Sequence, residues 1–149
     1  MSRKKLFKRL GILVIGIFTI NTLANIFFWY QSIWWLDLVM HFLGGLFVAL
    51  FIVWVLYAIF NKLTPPFVFW YVVFGVLIIA LSWELFEFSI WTLFNLKEII
   101  NIQDSITDVI AGSFGSIAGA IYFLRRRGGD NTKGEYVQTI PQAQQYGTE

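Results

Sequence analysis

The chain contains no cysteine, which excludes a disulfide framework, a thiolate metal site and a cysteine nucleophile together. Proline is almost as scarce, and the adjacent pair Pro65 and Pro66 stops any helix that reaches it. Charge is sparse too: 13% of the residues are Asp, Glu, Lys or Arg, against 58% hydrophobic and 19% aromatic. With a mean hydropathy of +0.68, this composition excludes an ordinary soluble domain and belongs to the membrane class. The chain also lacks a Ser-His-Asp pattern, a glycine-rich phosphate loop and a nucleotide motif. It has no repeat of fixed period. Its pI near 9.0 does not indicate nucleic-acid binding, because the basic residues stand where membrane topology puts them.

What is present is a set of long apolar runs in a chain of 149 residues, short enough for one small domain. Residues 1–9 form a basic start with Arg3, Lys4, Lys5, Lys8 and Arg9. The apolar run that follows is long enough to span a bilayer, and it continues into Phe27, Phe28, Trp29 and Tyr30 as an aromatic belt. It reads as a retained first transmembrane helix rather than a cleaved signal peptide. The expected architecture is all-α, a four-transmembrane-helix bundle over 10–124 with spans near 10–30, 37–60, 67–94 and 104–124. Residues 96–103 read as either a short interfacial helix or a loop. Residues 125–149 read as a basic stop followed by a polar, disordered tail.

Five basic residues precede the first span, Lys62 lies between the second and third, and Arg125, Arg126, Arg127 and Lys133 follow the fourth. Only Lys97 falls on the other side. The positive-inside rule then puts both termini in the cytoplasm of a multi-pass protein of the plasma or inner membrane.

With this orientation the polar residues converge. Asp37 and His41 open the second helix, Glu84 and Glu87 lie in the outer part of the third, Asp104 and Asp108 open the fourth, and Asn21 and Asn25 lie in the outer half of the first. The acid and histidine pairs are spaced three or four apart, so each pair faces one way on its helix. On the fourth helix Ala111, Gly112, Gly115, Ala118 and Gly119 continue that face, and small residues mark the side on which membrane helices pack closely. Gly44 and Gly45 suggest the same for the second helix.

Carboxylates sharing a small volume with one imidazole and no lysine or arginine must bind protons or a cation. Carboxylate and imidazole ligands on antiparallel helices suit one or two divalent metal ions such as Mg, Mn, Zn or Fe. Asp37, His41, Glu84, Glu87, Asp104 and Asp108 are therefore the candidate metal ligands, and His41, Glu84, Glu87 and Asp108 the candidate catalytic groups. Blander readings stand beside these: Asp37 and Asp104 as acids stabilised at helix starts, His41 as a structural histidine, and Glu84 and Glu87 as protonated links between helices. The glycine pattern reads first as packing.

Three motifs occur in order: Asp37-x-x-x-His41-Phe42-x-x-Gly45, Trp83-Glu84-x-x-Glu87, and Asp104-x-x-x-Asp108 followed by Gly112 and Gly115. Over about Asp37 to Tyr122 the chain resembles the YjdF-like family of small bacterial membrane proteins. More distantly it is similar to VanZ-like proteins, which usually carry Gln where this chain has Glu87 and Asn near Gly112. The resemblance implies a four-helix core and no particular reaction.

Three functions remain open at this point. One is a metal-assisted enzyme acting on a lipid-linked or headgroup substrate at the outer leaflet. The second is a proton or cation transit site, in one chain or a homo-oligomer. The third is a non-catalytic envelope or partner-binding module. The lipid bilayer is a partner in all three, and nucleic acid in none.

Overall fold

The computed structural model describes residues 2–94 and 102–138, and among them every regular element is helical. The helices are α1 (Arg3–Ile26), α2 (Trp29–Ser32), α3 (Leu36–Val55), α4 (Tyr57–Phe60), α5 (Pro65–Leu93) and α6 (Ile102–Gln138). Four stretches are long and apolar enough to cross a membrane: Arg3–Ile26, Leu36–Val55, Pro65–Ile90 and Gln103–Arg127. The four-span, all-α expectation holds, with several boundaries moved.

The basic start is not separate from the first span. Ser2 caps α1 by accepting a hydrogen bond from the Lys5 backbone N–H, so the helix begins at Arg3. It ends at Ile26 rather than near Tyr30. The Asn25 amide donates to the Asn21 carbonyl and the Thr22 hydroxyl to the Phe18 carbonyl, local bonds of the kind that compete with helix continuation. Phe28 then takes a left-handed conformation with φ 56°, which turns the chain into α2.

The second span breaks at Leu56, and its last turn is the separate helix α4. Arg127, from α6, donates to the Phe60 and Asn61 carbonyls at 2.6 and 2.9 Å, satisfying acceptors that the end of α4 leaves open. Pro65 and Pro66 do not merely close the preceding loop. They occupy the first positions of α5, where the missing N–H costs nothing and the fixed φ is already helical. The triple arginine at 125–127 does not end α6, because arginine is a good helix former, and the helical backbone continues to Gln138. Of the expected tail, residues 139–149 lie outside the described residues, as does most of the ambiguous 96–103 segment.

α3 and α6 pack most intimately, through glycine. A Cβ on Gly45 would run into the Gly112 carbonyl, and one on Gly115 into the Phe42 carbonyl and the Leu46 nitrogen. One on Gly119 would lie 2.8 Å from the Ala49 Cβ. The two backbones thus touch along several turns, as the small-residue stripe predicts. Gly44, one position from the seam, has open space where a Cβ would be.

At the basic end the bundle is filled by Leu6, Leu10, Leu50, Val53, Phe60, Val68, Val72, Val76 and Phe123. Outward-facing Ile12, Ile15, Phe67, Ile78, Phe114 and others give the apolar surface that a bilayer requires. Toward the opposite end the packing opens into a cavity.

Candidate functional site

The cavity lies among α1, α2, α3, α5 and α6 and has a volume of about 570 Å³. Each helix delivers a face chosen by its period. On α3, Asp37, His41, Gly44 and Val48 line it; on α5, Val76, Ala80, Glu84 and Glu87; on α6, Asp108 and Gly112. α1 adds Val14, Ile17, Phe18 and Asn21, and α2 adds Tyr30. Along α5 the neighbours Leu85, Phe86 and Phe88 are exposed, while Glu84 and Glu87 are half-buried and turned inward. Among the described residues no lysine or arginine lines this space.

The tightest group within it is Asp37, His41 and Asp108. His41 Nε2 lies 3.7 Å from Asp37 Oδ1 and 3.6 Å from Asp108 Oδ2. One ligand atom from each residue falls within 4.8 Å of the others, a spacing that can hold a metal ion. The three are buried to different degrees, with the Asp108 side chain only 9% exposed and that of Asp37 43%. Asp108 Oδ1 is fully enclosed and has no hydrogen-bond partner. An enclosed carboxylate oxygen without a partner is costly, and a cation beside it would remove that cost.

The close approach of Gly45 to Gly112 sets this geometry. Side chains at that crossing would hold α3 and α6 apart and separate Asp108 from His41. The glycine stripe therefore packs the helices and brings the triad residues together through the same contact.

The six expected ligands thus divide. Asp37, His41 and Asp108 come together. Glu84 and Glu87 share the cavity with them but stand outside the close triad. Asp104 is exposed in the first turn of α6, where its carbonyl accepts from the Thr107 hydroxyl, and it does not line the cavity.

Asn21 lines the cavity, whereas Asn25 spends its amide within α1. Tyr30 is a participant the sequence reading missed. Its hydroxyl donates to Asn21 Oδ1 at 2.7 Å, tying α2 to α1 at the cavity mouth. Burial first, and the Asp37 carboxylate second, raise the Tyr30 phenol above its ordinary value, so it remains a donor. Trp83, the first residue of the second motif, also lines the cavity, beside Glu84 and Glu87.

A family model described as "Predicted membrane protein (DUF2238)" matches residues 2–129. The chain belongs to this family. DUF2238 is the YjdF-like family that the three motifs resemble, so that resemblance holds. The match also takes in α1, which lies outside the motif-bearing stretch. No curated protein and no solved structure matches the chain.

Proposed function

We propose that this DUF2238 protein binds a divalent cation through Asp37, His41 and Asp108, and that the adjoining cavity brings the headgroup of a lipid-linked substrate to that cation. The observation that carries the reading is the enclosed, unpartnered Asp108 Oδ1 beside an imidazole and a second carboxylate. Two carboxylates and a divalent ion are neutral together, which removes the like-charge conflict that Asp37 and Asp108 would otherwise face. When bound, such an ion polarises a phosphoryl or acyl oxygen or lowers the pKa of water. His41 lies between the two aspartates, and Glu84 and Glu87 across the cavity are the carboxylates positioned to accept a proton.

The reading includes an outer-leaflet position of the site in a plasma or bacterial inner membrane, with both termini cytoplasmic. The distribution of basic residues supports it. The apolar packing from Leu50 and Val53 to Phe123 favours a binding site over a transit pathway, because it fills the bundle between the cavity and the basic end. The more distant likeness to VanZ-like proteins is compatible with an envelope role but adds no reaction.

The test is metal content. Full-length protein purified in mild detergent without chelator is expected to carry a stoichiometric divalent metal, measured by elemental mass spectrometry, and Asp108→Asn and His41→Ala to lose it. Metal-free native protein that also fails to bind added Mn²⁺ or Zn²⁺ would sink the reading.

A further inference from the structure

The cavity has a polarity gradient along its length. On α1 the lining passes from Val14, Ile17 and Phe18 to Asn21, and on α5 from Val76, Ile79 and Ala80 to Glu84 and Glu87. Both helices run in the same direction across the bundle, so the two gradients are parallel. Val76 to Glu84 spans about 12 Å at the helical rise. α1 packs on α3, and α5 packs on α3 and α6, but α1 and α5 scarcely approach each other. Between them lies a lateral slot, apolar toward the middle of the bilayer and acidic toward its polar end. Phe18 is 71% exposed and Trp83 52%, so the edges of the slot are open to the hydrocarbon phase.

We propose that this slot admits a membrane lipid sideways and that Glu84 and Glu87 select a lipid whose headgroup carries a primary ammonium. The inference rests on the metal reading above, because a divalent ion satisfies Asp37 and Asp108 and leaves Glu84 and Glu87 as the uncompensated charge of the cavity. No lysine or arginine among the described lining residues answers that charge. A primary ammonium offers three donors to two carboxylates one helical turn apart, whereas a quaternary ammonium offers none and a glycerol headgroup brings no cation. The acyl chain lies along Val14, Ile17, Val76 and Ile79. The lining then follows the order of groups along a phosphatidylethanolamine, with acyl chain at the apolar part of the slot, ammonium at the carboxylates, and the phosphate between them in the cavity that also holds the triad.

Native mass spectrometry of the full-length protein, loaded with Mn²⁺ in detergent, reads metal and lipid occupancy in one spectrum. The lipids are phosphatidylethanolamine, phosphatidylcholine and phosphatidylglycerol of matched chains, and soluble phosphoethanolamine is the tail-less probe. The expected result is a preference for phosphatidylethanolamine on the order of tenfold over the other two lipids. The Glu84→Gln/Glu87→Gln variant should lose the preference and keep Mn²⁺. Ile17→Trp, which fills the slot, should weaken all three lipids and leave phosphoethanolamine unaffected. Equal binding of the three lipids to Mn²⁺-loaded protein overturns the headgroup selection and leaves the metal site standing. Ile17→Trp that binds all three lipids like the native chain overturns the slot. Native protein that takes up no Mn²⁺ overturns the metal reading and this inference with it.

Discussion

Replacing Asp108 with asparagine separates two contributions that the native carboxylate combines. In metal-free protein the enclosed Oδ1 is a cost, and an amide of the same shape removes the charge without opening a cavity. In the proposed metal-bound state the same carboxylate is a ligand. Asp108→Asn is therefore expected to hold or raise the metal-free melting temperature while abolishing the rise on adding metal. In the native chain that rise, at a hundredfold excess over Kd, is worth about 2.7 kcal/mol, or roughly 5–10 °C for a chain of this size. A thermal-shift titration in detergent checks both halves, and a rise equal to the native one in the variant would contradict the assignment. Tyr30→Phe is the contrasting substitution. It removes the hydroxyl bond to Asn21 and should cost about 1 kcal/mol in thermal or denaturant unfolding without changing metal stoichiometry.

Between elements, the α3–α6 seam makes the sharpest demand. Ala at Gly45 or Gly115 would drive a methyl into backbone, which no rotamer change relieves, so each should lower stability by about 1–3 kcal/mol and weaken metal binding through displacement of Asp108 from His41. Gly44→Ala, whose methyl meets open space, should be tolerated within about 0.5 kcal/mol. Equal effects at Gly44 and Gly45 in unfolding measurements would refute the seam. Arg127→Ala should free the end of α4 and cost about 1 kcal/mol, with no change in metal.

The same elements show what a sequence can disclose. The pairs Asp37 with His41, and Glu84 with Glu87, were legible because helical period alone fixes which residues share a face, and Gly112, Gly115 and Gly119 because small residues have a direct packing meaning. Tyr30 was not legible. Its place depends on a left-handed turn at Phe28, a bulky residue that carries no turn signal. The exclusion of Asp104 was hidden too, since spacing puts it on the face of Asp108, while its place in the first turn of α6 leaves it exposed and outside the cavity.

For the whole molecule the testable property is orientation. An even number of spans returns the C-terminal end to the side on which the chain starts. The absence of cysteine allows single introduced thiols to report sidedness without background. In intact cells or sealed vesicles, Ser2→Cys and Lys62→Cys should be shielded from an impermeant outside reagent, and Gln31→Cys should react with it. Labelling at Lys62 but not Gln31 would invert the molecule and move the carboxylate cavity to the inner leaflet. Legibility at this scale followed the same division. The number of spans was legible because hydropathy acts locally. The slot between α1 and α5 depends on which helices fail to pack, and no local signal encodes that.

The seam at Gly45, Gly112 and Gly115 has one more consequence. Contact between main chains leaves no flexible side chains at the crossing to absorb a change of spacing, so the backbone separation of the segments that carry His41 and Asp108 is held by peptide geometry. A coordination sphere built on so stiff a frame, as proposed, would not readily expand or contract to suit its guest. The proposed site should therefore discriminate by ionic radius, with a small ion such as Mg²⁺, Mn²⁺ or Zn²⁺ favoured over Ca²⁺, whose longer bonds and higher ligand number would require the two helices to part.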